Sequence, residues 1–223
     1  LISGERTAFF LMLLSFTLMF LLISKNRKFI RKIFIVVISF CILILSFSDS
    51  IRQRMVDVTL EKMLESKTQE KKIYILSRQH DEHYISAIRM FKKNPFTGVG
   101  VKNFRIFCSE KEFYISDYTC SPHPHNTYIQ LLSETGIIGF LIIFSIFIYI
   151  NYKLIFHYFK LFKKKPIYND FQICLLIAVY LTLWPLVPSG NFFNNWLSII
   201  YFYPVGIILW SLKNNDTNII KNH

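Results

Sequence analysis

The sequence lacks several features that would place the chain in a simple class of protein. It contains no internal repeat, no low-complexity tract and no heptad array, which excludes solenoid and coiled-coil architectures. No Ala-x-Ala-like site follows a short apolar run, so the pattern of a cleavable signal peptide is missing. Acidic residues are scarce, with 14 Asp and Glu against 26 Lys and Arg. This excess of positive charge is compatible with a nucleic-acid partner or with a membrane surface.

Charged residues are nearly absent from five long apolar stretches. Hydrophobic residues make up 52% of the 223-residue chain and 23 residues are Phe, too many for a soluble core of this length. A helix needs about 17 to 25 apolar residues to cross a bilayer. The stretches approach this length at residues 7–24, 33–48, 128–150, 171–187 and 196–212. We therefore predict an all-α polytopic membrane protein with about five transmembrane helices.

The net charge of +12 is concentrated in short segments that follow alternate apolar stretches. The segments after the first, third and fifth stretches carry net charges of +5, +4 and +1. Basic residues in short loops mark the cytoplasmic side of a membrane protein. With five spans, all three segments lie on that side, and residues 49–126 and 188–195 lie outside. This placement predicts membrane lipids as partners of the basic residues, and no nucleic acid.

The long outer segment divides the chain into three predicted regions. Residues 1–48 hold two transmembrane helices, residues 49–126 form an outer loop domain, and residues 127–223 hold three transmembrane helices and a cytoplasmic tail. Two amphipathic stretches lie in the loop domain, at residues 52–72 and 84–91. Pro95, Gly98 and Gly100 predict a turn after the second stretch.

The four cysteines divide into two kinds. Cys41 and Cys174 lie within apolar stretches and are interpreted as inert small side chains. Cys108 and Cys120 lie 12 residues apart in the outer loop, where an oxidising compartment favours a disulfide. Two free thiols are an alternative. A zinc site shared with nearby histidines is a further alternative, although no Cys-x-x-Cys pair supplies the usual spacing.

His125 and Asn126 stand where a polar, proline-containing loop enters the third apolar stretch. A helix that starts there favours anions such as phosphate at its first turn. An imidazole that titrates near neutrality can take a proton from a sugar hydroxyl. The alternative is an interfacial histidine that anchors the helix end. His123 is predicted to support His125, with metal binding by the two as the alternative. His80 and His83 are spaced for one helical face and are interpreted as ordinary surface residues, with a role in the site as the alternative.

Other candidate residues lie close to the predicted outer membrane surface. A guanidinium there can clamp a diphosphate through two parallel hydrogen bonds, or simply pair with a carboxylate. Asn126, His123, Glu134 and Tyr128 are candidate substrate-binding residues, and Gly136 and Gly139 are expected to allow close helix packing. The candidate arginines are Arg6, at the start of the first stretch, and Arg78 and Arg89, which flank the second amphipathic stretch.

Three motifs, taken in order, resemble one family of bacterial membrane enzymes. His125-Asn126, followed after nine residues by Gly136-x-x-Gly139, resembles the outer-loop signature of the O-antigen ligase family. The segment at 95–100 is similar to the Pro-x-x-Gly-x-Gly segment that precedes this signature, and residues 3–6 are similar to the Ser-Gly-x-Arg motif of the family. Family members usually have more spans, so the resemblance identifies the chain as a carboxy-terminal part.

The resemblance implies transfer of a glycan from undecaprenyl diphosphate to an acceptor at the periplasmic face of the bacterial inner membrane, in lipopolysaccharide and cell-envelope biosynthesis. The acceptor is lipid A-core in ligases, growing O-antigen in polymerases, or a protein hydroxyl in oligosaccharyltransferases. Arg6 and Arg78 would hold the diphosphate, and His125 would orient or deprotonate the acceptor hydroxyl. No Asp-x-Asp motif occurs, and the implied reaction is an inverting displacement without metal or cofactor. Transport of the lipid-linked glycan and an inactive, incomplete subunit are the alternatives.

Overall fold

The computed structural model describes residues 6–53, 57–58 and 77–221. All regular secondary structure in this part of the chain is helical, which confirms the predicted all-α class for these residues. Most of the predicted amphipathic stretch at 52–72 lies outside the described residues. The helices are α1 Arg6–Leu22, α2 Arg27–Phe47, α3 Asp49–Arg52, α4 Arg78–Lys93, α5 Phe104–Phe107, α6 Thr127–Phe162, α7 Asp170–Thr182 and α8 Asn195–Lys221.

Two of the described helices are long and apolar enough to cross a membrane, namely α6 and the Asn195–Lys213 part of α8. Helices α1 and α7 are apolar but shorter, with 17 and 13 residues. Helix α7 ends at Thr182, before the apolar run itself ends, because Pro185 disfavours helical backbone in the residue that precedes it. The arrangement with five spans therefore stays a prediction.

The described residues form two compact units, each assembled from separate parts of the sequence. The first unit contains Arg6, the described residues of 44–145, and Pro185–Leu197. The second unit contains residues 7–43, 146–184 and the described residues from 198 onwards. All the candidate site residues named from the sequence belong to the first unit.

The core of the first unit is built on one face of α4. Ser77 caps this helix by accepting a hydrogen bond from the backbone N–H of His80. Positions spaced three and four residues apart then face inward, which buries His83, Ala87 and Met90. Ala87 and Met90 pack with three side chains from the following segment, namely Phe104, Cys108 and Phe113.

A break in α6 gives Gly136 a role that differs from close helix packing. Gly136 has φ 67° and ψ −165°, a conformation that is essentially restricted to glycine. The backbone of residues 95–100 lies against this break, and a Cβ on Gly136 would lie 2.3 Å from the Phe96 carbonyl carbon. Three backbone hydrogen bonds join the two segments: Val99 N–H to Ser133 O, Gly100 N–H to Glu134 O, and Ile137 N–H to Pro95 O, at 2.8, 3.0 and 2.8 Å. The expectation that Gly136 serves helix–helix packing is therefore wrong.

In the second unit, polar groups join helix ends to neighbouring segments. The Asp170 carboxylate accepts hydrogen bonds from the backbone N–H groups of Ser24, Lys25 and Asn26 at 2.9 to 3.3 Å. His157 is fully buried, and its Nε2–H donates to the Leu22 carbonyl at 3.1 Å. Asp170 is thus a structural group of this turn as well as a counter-charge to the basic loop.

Candidate functional site

Four of the six histidines in the sequence lie together in the first unit. The ring centroid of His125 lies 4.2 Å from that of His123, 5.5 Å from that of His83 and 5.8 Å from that of His80. His80 and His83 share one face of α4 because they are three residues apart, and the other two come from the loop before α6. We call His80, His83, His123 and His125 the histidine cluster.

The cluster contains one residue that the sequence-based interpretation placed at the surface. His83 has a relative exposure of only 7%, so its interpretation as a surface residue is wrong. The spacing of His80 and His83 indicated a shared helical face, but it did not show which face is buried. The burial of Ala87 and Met90 on the same side of α4 settles that question.

The backbone at His125 is held in a strained conformation. Its φ of 57° lies in the left-handed region, which costs roughly 1–2 kcal/mol for a residue with a Cβ. The His125 carbonyl accepts a 2.9 Å hydrogen bond from the Ser189 N–H. Asn126 caps α6, since its Oδ1 accepts from the Tyr128 N–H at 3.0 Å while its Nδ2 donates to the Pro185 carbonyl at 2.8 Å. These bonds hold the turn in place despite its backbone strain. Strained backbone held in this way is often found at functional sites.

Hydrogen bonds to backbone carbonyls define the tautomers of two histidines in the cluster. Nδ1 of His83 lies 2.9 Å from the Thr119 carbonyl, and Nε2 of His123 lies 3.2 Å from the Ser189 carbonyl. A carbonyl oxygen only accepts, so each of these nitrogens carries the hydrogen. In the neutral ring the other nitrogen is then an acceptor. Among the described residues, the buried Nδ1 of His123 has no hydrogen-bond partner.

Burial and crowding keep two rings of the cluster, His123 and His125, uncharged in the unliganded protein. Burial, together with the proximity of His123, His83 and His80, lowers the pKa of His125 from 6.5 to about 4. Burial also lowers the pKa of His123. The prediction that His125 titrates near neutrality is therefore wrong for the empty site. At pH 7 the His125 ring is neutral and can accept a hydrogen bond from a hydroxyl, although it is a weak base.

The three candidate arginines occupy different environments. Arg78 begins α4, where its Nε donates to Glu82 at 2.9 Å and its guanidinium lies over the Tyr118 ring. Arg89 is exposed, and its Nη1 donates to the Tyr114 carbonyl at 3.3 Å. Arg6 is half-buried at the start of α1 and groups with the unit that holds the histidine cluster. Arg78 is thus the candidate arginine that shares a helix turn with His80.

Two candidate substrate-binding residues have structural partners. Glu134 is fully buried, and its carboxylate accepts hydrogen bonds from the N–H groups of Lys102 and Phe104 and from the Gln130 amide, at 3.0, 3.2 and 3.0 Å. It therefore ties the segment after Gly100 to α6. The buried Tyr128 ring packs edge-to-face on two aromatic rings of α6, those of Phe140 and Phe144.

Cys108 and Cys120 form a disulfide with their Cα atoms 5.3 Å apart. The alternatives of two free thiols and of a zinc site with cysteine ligands are therefore wrong. Within the described residues, no group of three or more His, Cys, Asp or Glu side chains is arranged to hold a metal ion. Cys41 and Cys174 are not paired with each other or with another cysteine.

Comparison with known proteins agrees with the resemblance found in the sequence motifs. A family model described as O-antigen ligase matches residues 1–144, which include Arg6, the whole of α4 and the histidine cluster. No curated protein and no solved structure matches the chain. The matched region covers more than half of the 223 residues. The chain therefore belongs to the O-antigen ligase family.

Proposed function

We propose that this protein is a membrane glycosyltransferase that moves a glycan from undecaprenyl diphosphate to an acceptor hydroxyl, with His125 at the reacting centre. Family membership implies an enzyme of glycosyltransferase type that acts on a lipid-linked glycan and an acceptor. The observation that carries the role of His125 is its central position in the histidine cluster, on a strained turn at the start of α6.

The neutral state of His125 fits it to the acceptor hydroxyl. A neutral ring nitrogen accepts a hydrogen bond from the hydroxyl and thereby orients its oxygen towards the anomeric carbon of the donor. The new carbon–oxygen bond forms as the bond between the anomeric carbon and the diphosphate oxygen breaks. The hydroxyl proton passes to His125, and the electron pair leaves with the prenyl diphosphate. An in-line attack of this kind inverts the anomeric configuration.

Arg6 and Arg78 are proposed to hold the diphosphate and to stabilise its charge as it leaves. Arg78 shares a helix with two histidines of the cluster, and Arg6 belongs to the same compact unit. To bind phosphate, Arg78 would have to exchange its bond to Glu82 for bonds to the ligand. Arg89 lies on the exposed side of α4, where it could contact a more distant part of the glycan.

The site is proposed to face the periplasm from the bacterial inner membrane, with five spans in the chain. The disulfide supports this side, because Cys108 and Cys120 belong to the same unit as the cluster and disulfides persist in oxidising compartments. The basic segments after alternate apolar stretches support the same orientation. Labelling of a cysteine placed at the exposed Lys111 with a membrane-impermeant maleimide tests it, and labelling from the cytoplasmic side alone would reject it.

The purified full chain, supplied with a lipid-linked glycan and with lipid A-core, glycan or protein acceptors, should increase the mass of one acceptor class. Replacing His125 with Ala should lower the transfer rate by about 100-fold or more, the usual range for a group that handles a proton in the transition state. His223→Ala, at the last residue of the chain, is the matched control and should retain activity. Transfer by His125→Ala at the control rate would rule out a reacting role for His125.

A further inference from the structure

We propose that His80 and His83 form, together with His123, a diphosphate-binding pocket beside His125 that takes up a proton from solvent when the diphosphate enters. This inference rests on the proposed function, because it concerns the same site. It assigns a binding role to two residues that no sequence motif singled out.

The hydrogen bonds within the cluster show why a proton is needed. His83 already uses its Nδ1–H on the Thr119 carbonyl, and His123 already uses its Nε2–H on the Ser189 carbonyl. The remaining nitrogen of each neutral ring presents a lone pair, and so does a phosphate oxygen. Two acceptors repel each other, so neither ring can bind phosphate until that second nitrogen is protonated. After protonation the ring donates a charge-assisted hydrogen bond to the diphosphate.

Burial lowers the pKa values of His123 and His125 and so disfavours a charge on either ring until an anion arrives. The charged and titratable groups that α4 contributes near the cluster are Arg78, His80, Asp81, Glu82, His83 and Tyr84. Arg78 and Glu82 compensate each other through their 2.9 Å ion pair, and burial and Asp81 raise the pKa of Tyr84 to about 12, which keeps it neutral.

Of the segments that face α4, the disulfide-bounded one has an excess of negative charge, with Glu110, Glu112 and Asp117 against Lys111, and Lys93 of α4 pairs with Glu112. The disulfide-bounded segment contributes Tyr114, Asp117 and Tyr118, in which Tyr114 Oη donates to Asp117 at 2.7 Å. The segment Pro185–Leu197, which hydrogen-bonds to His123 and His125, contains no charged side chain. Protonation of one ring in the empty cluster is opposed by burial and by any second charged ring at 4.2 to 6.4 Å. A diphosphate with two negative charges reverses this balance, since it favours the charged form of every ring that it contacts.

Proton uptake on binding has a defined consequence for affinity. If one proton binds together with each diphosphate, the affinity falls by about tenfold for each unit rise in pH, by thermodynamic linkage. This dependence holds where the empty cluster is neutral and the occupied cluster is charged. The same proton is released when the leaving diphosphate departs, so the uptake is reset in each turnover.

Isothermal titration calorimetry on the full chain in nanodiscs measures this uptake directly. The probe is a short-chain prenyl diphosphate sugar, because a diphosphate diester does not titrate near neutrality, whereas a phosphate monoester has a pKa near 6. At pH 6.5, the binding enthalpy is measured in several buffers that differ in ionisation enthalpy, and the slope gives the number of protons taken up. We expect about one proton for the unmodified protein, from the linkage above.

Variants assign the proton to the cluster. His83→Gln and His80→Gln keep a polar side chain of similar reach but cannot be protonated. Each should lower the proton uptake and flatten the pH dependence of affinity, whereas the control His223→Gln should leave both unchanged. If His83→Gln fails to fold, the unmodified protein and His80→Gln still decide the question.

The outcomes separate this inference from the proposed function. Binding of the probe without proton uptake would overturn the inference and leave the glycosyltransferase proposal intact. Uptake that persists unchanged in both histidine variants would overturn the assignment to His80 and His83. A failure to bind the probe would overturn the inference, and transfer activity with lipid-linked glycan, measured separately, would show whether the proposed function fails with it.

Discussion

Gly136→Ala should destabilise the first unit severely, because the added methyl group meets backbone that cannot move aside. The Ala Cβ would lie 2.3 Å from the Phe96 carbonyl carbon and oxygen and 2.6 Å from the Thr97 nitrogen. An alanine would also have to adopt φ 67° and ψ −165°, at a cost of roughly 1–3 kcal/mol. Relief of the overlap by backbone movement adds about 1–3 kcal/mol. We therefore expect a loss of about 2–6 kcal/mol in the free energy of unfolding.

Movement of residues 95–100 away from α6 would also break the backbone hydrogen bonds that join them. Val99, Gly100 and Ile137 each donate one bond across this contact, and each bond contributes roughly 1 kcal/mol. Val99 packs against the core of the first unit, so that core would then pack less tightly. Helix α4 would also lose its fixed position relative to the start of α6. Transfer activity should therefore fall together with stability.

Gly206→Ala is the matched control for this substitution. Gly206 lies inside α8, and apart from its chain neighbours and the backbone of its own helix, no atom of the described residues lies within 4 Å of a Cβ built there. Alanine has the higher helix propensity, so this variant should be neutral or up to about 1 kcal/mol more stable. Thermal unfolding of the purified proteins in one detergent compares the two. If Gly136→Ala unfolds within a degree or two of Gly206→Ala, the assignment of Gly136 as a backbone docking point is incorrect.

Two further predictions concern pH and the disulfide. Burial depresses the pKa of His125 in the folded protein to about 4, from its ordinary value of 6.5. As pH falls from 6.5 towards 4, the unfolded chain takes up a proton that the folded protein does not, so the free energy of unfolding decreases. Above pH 6.5 the ring is neutral in both states, and its contribution to the free energy of unfolding is constant. For this half-buried ring the loss is about 1–2 kcal/mol after allowance for solvent screening, and melting temperatures of His125→Gln should show a smaller pH slope than those of the unmodified protein. Replacing Cys108 and Cys120 with Ser should cost about 2–4 kcal/mol, measured by thermal unfolding, because the bond constrains the unfolded loop. Equal melting temperatures with and without a reductant would contradict that expectation.

Local chemistry in the sequence was sufficient to predict the helical class and the centres of most helices. Apolar runs and the amphipathic pattern of α4 depend on neighbouring residues, so they can be read along the chain. The same is true of the motifs around His125 and Gly98, in which proline, glycine and histidine are close in sequence. These local signals led to His125 as the central candidate, and the structure places it at the centre of the histidine cluster.

The composition of the site was decided only by tertiary structure. His80 and His83 reach His125 across about 40 residues of sequence, because the packing of α4 buries one particular face. The lowered pKa of His125 arises from burial and from three neighbouring rings, which are properties of packing and not of a motif. Gly136 was visible as a glycine, but its break in α6 depends on the backbone of residues 95–100 docking against it. Sequence therefore determined which chemical groups are available, and packing determined which of them meet and in what charge state.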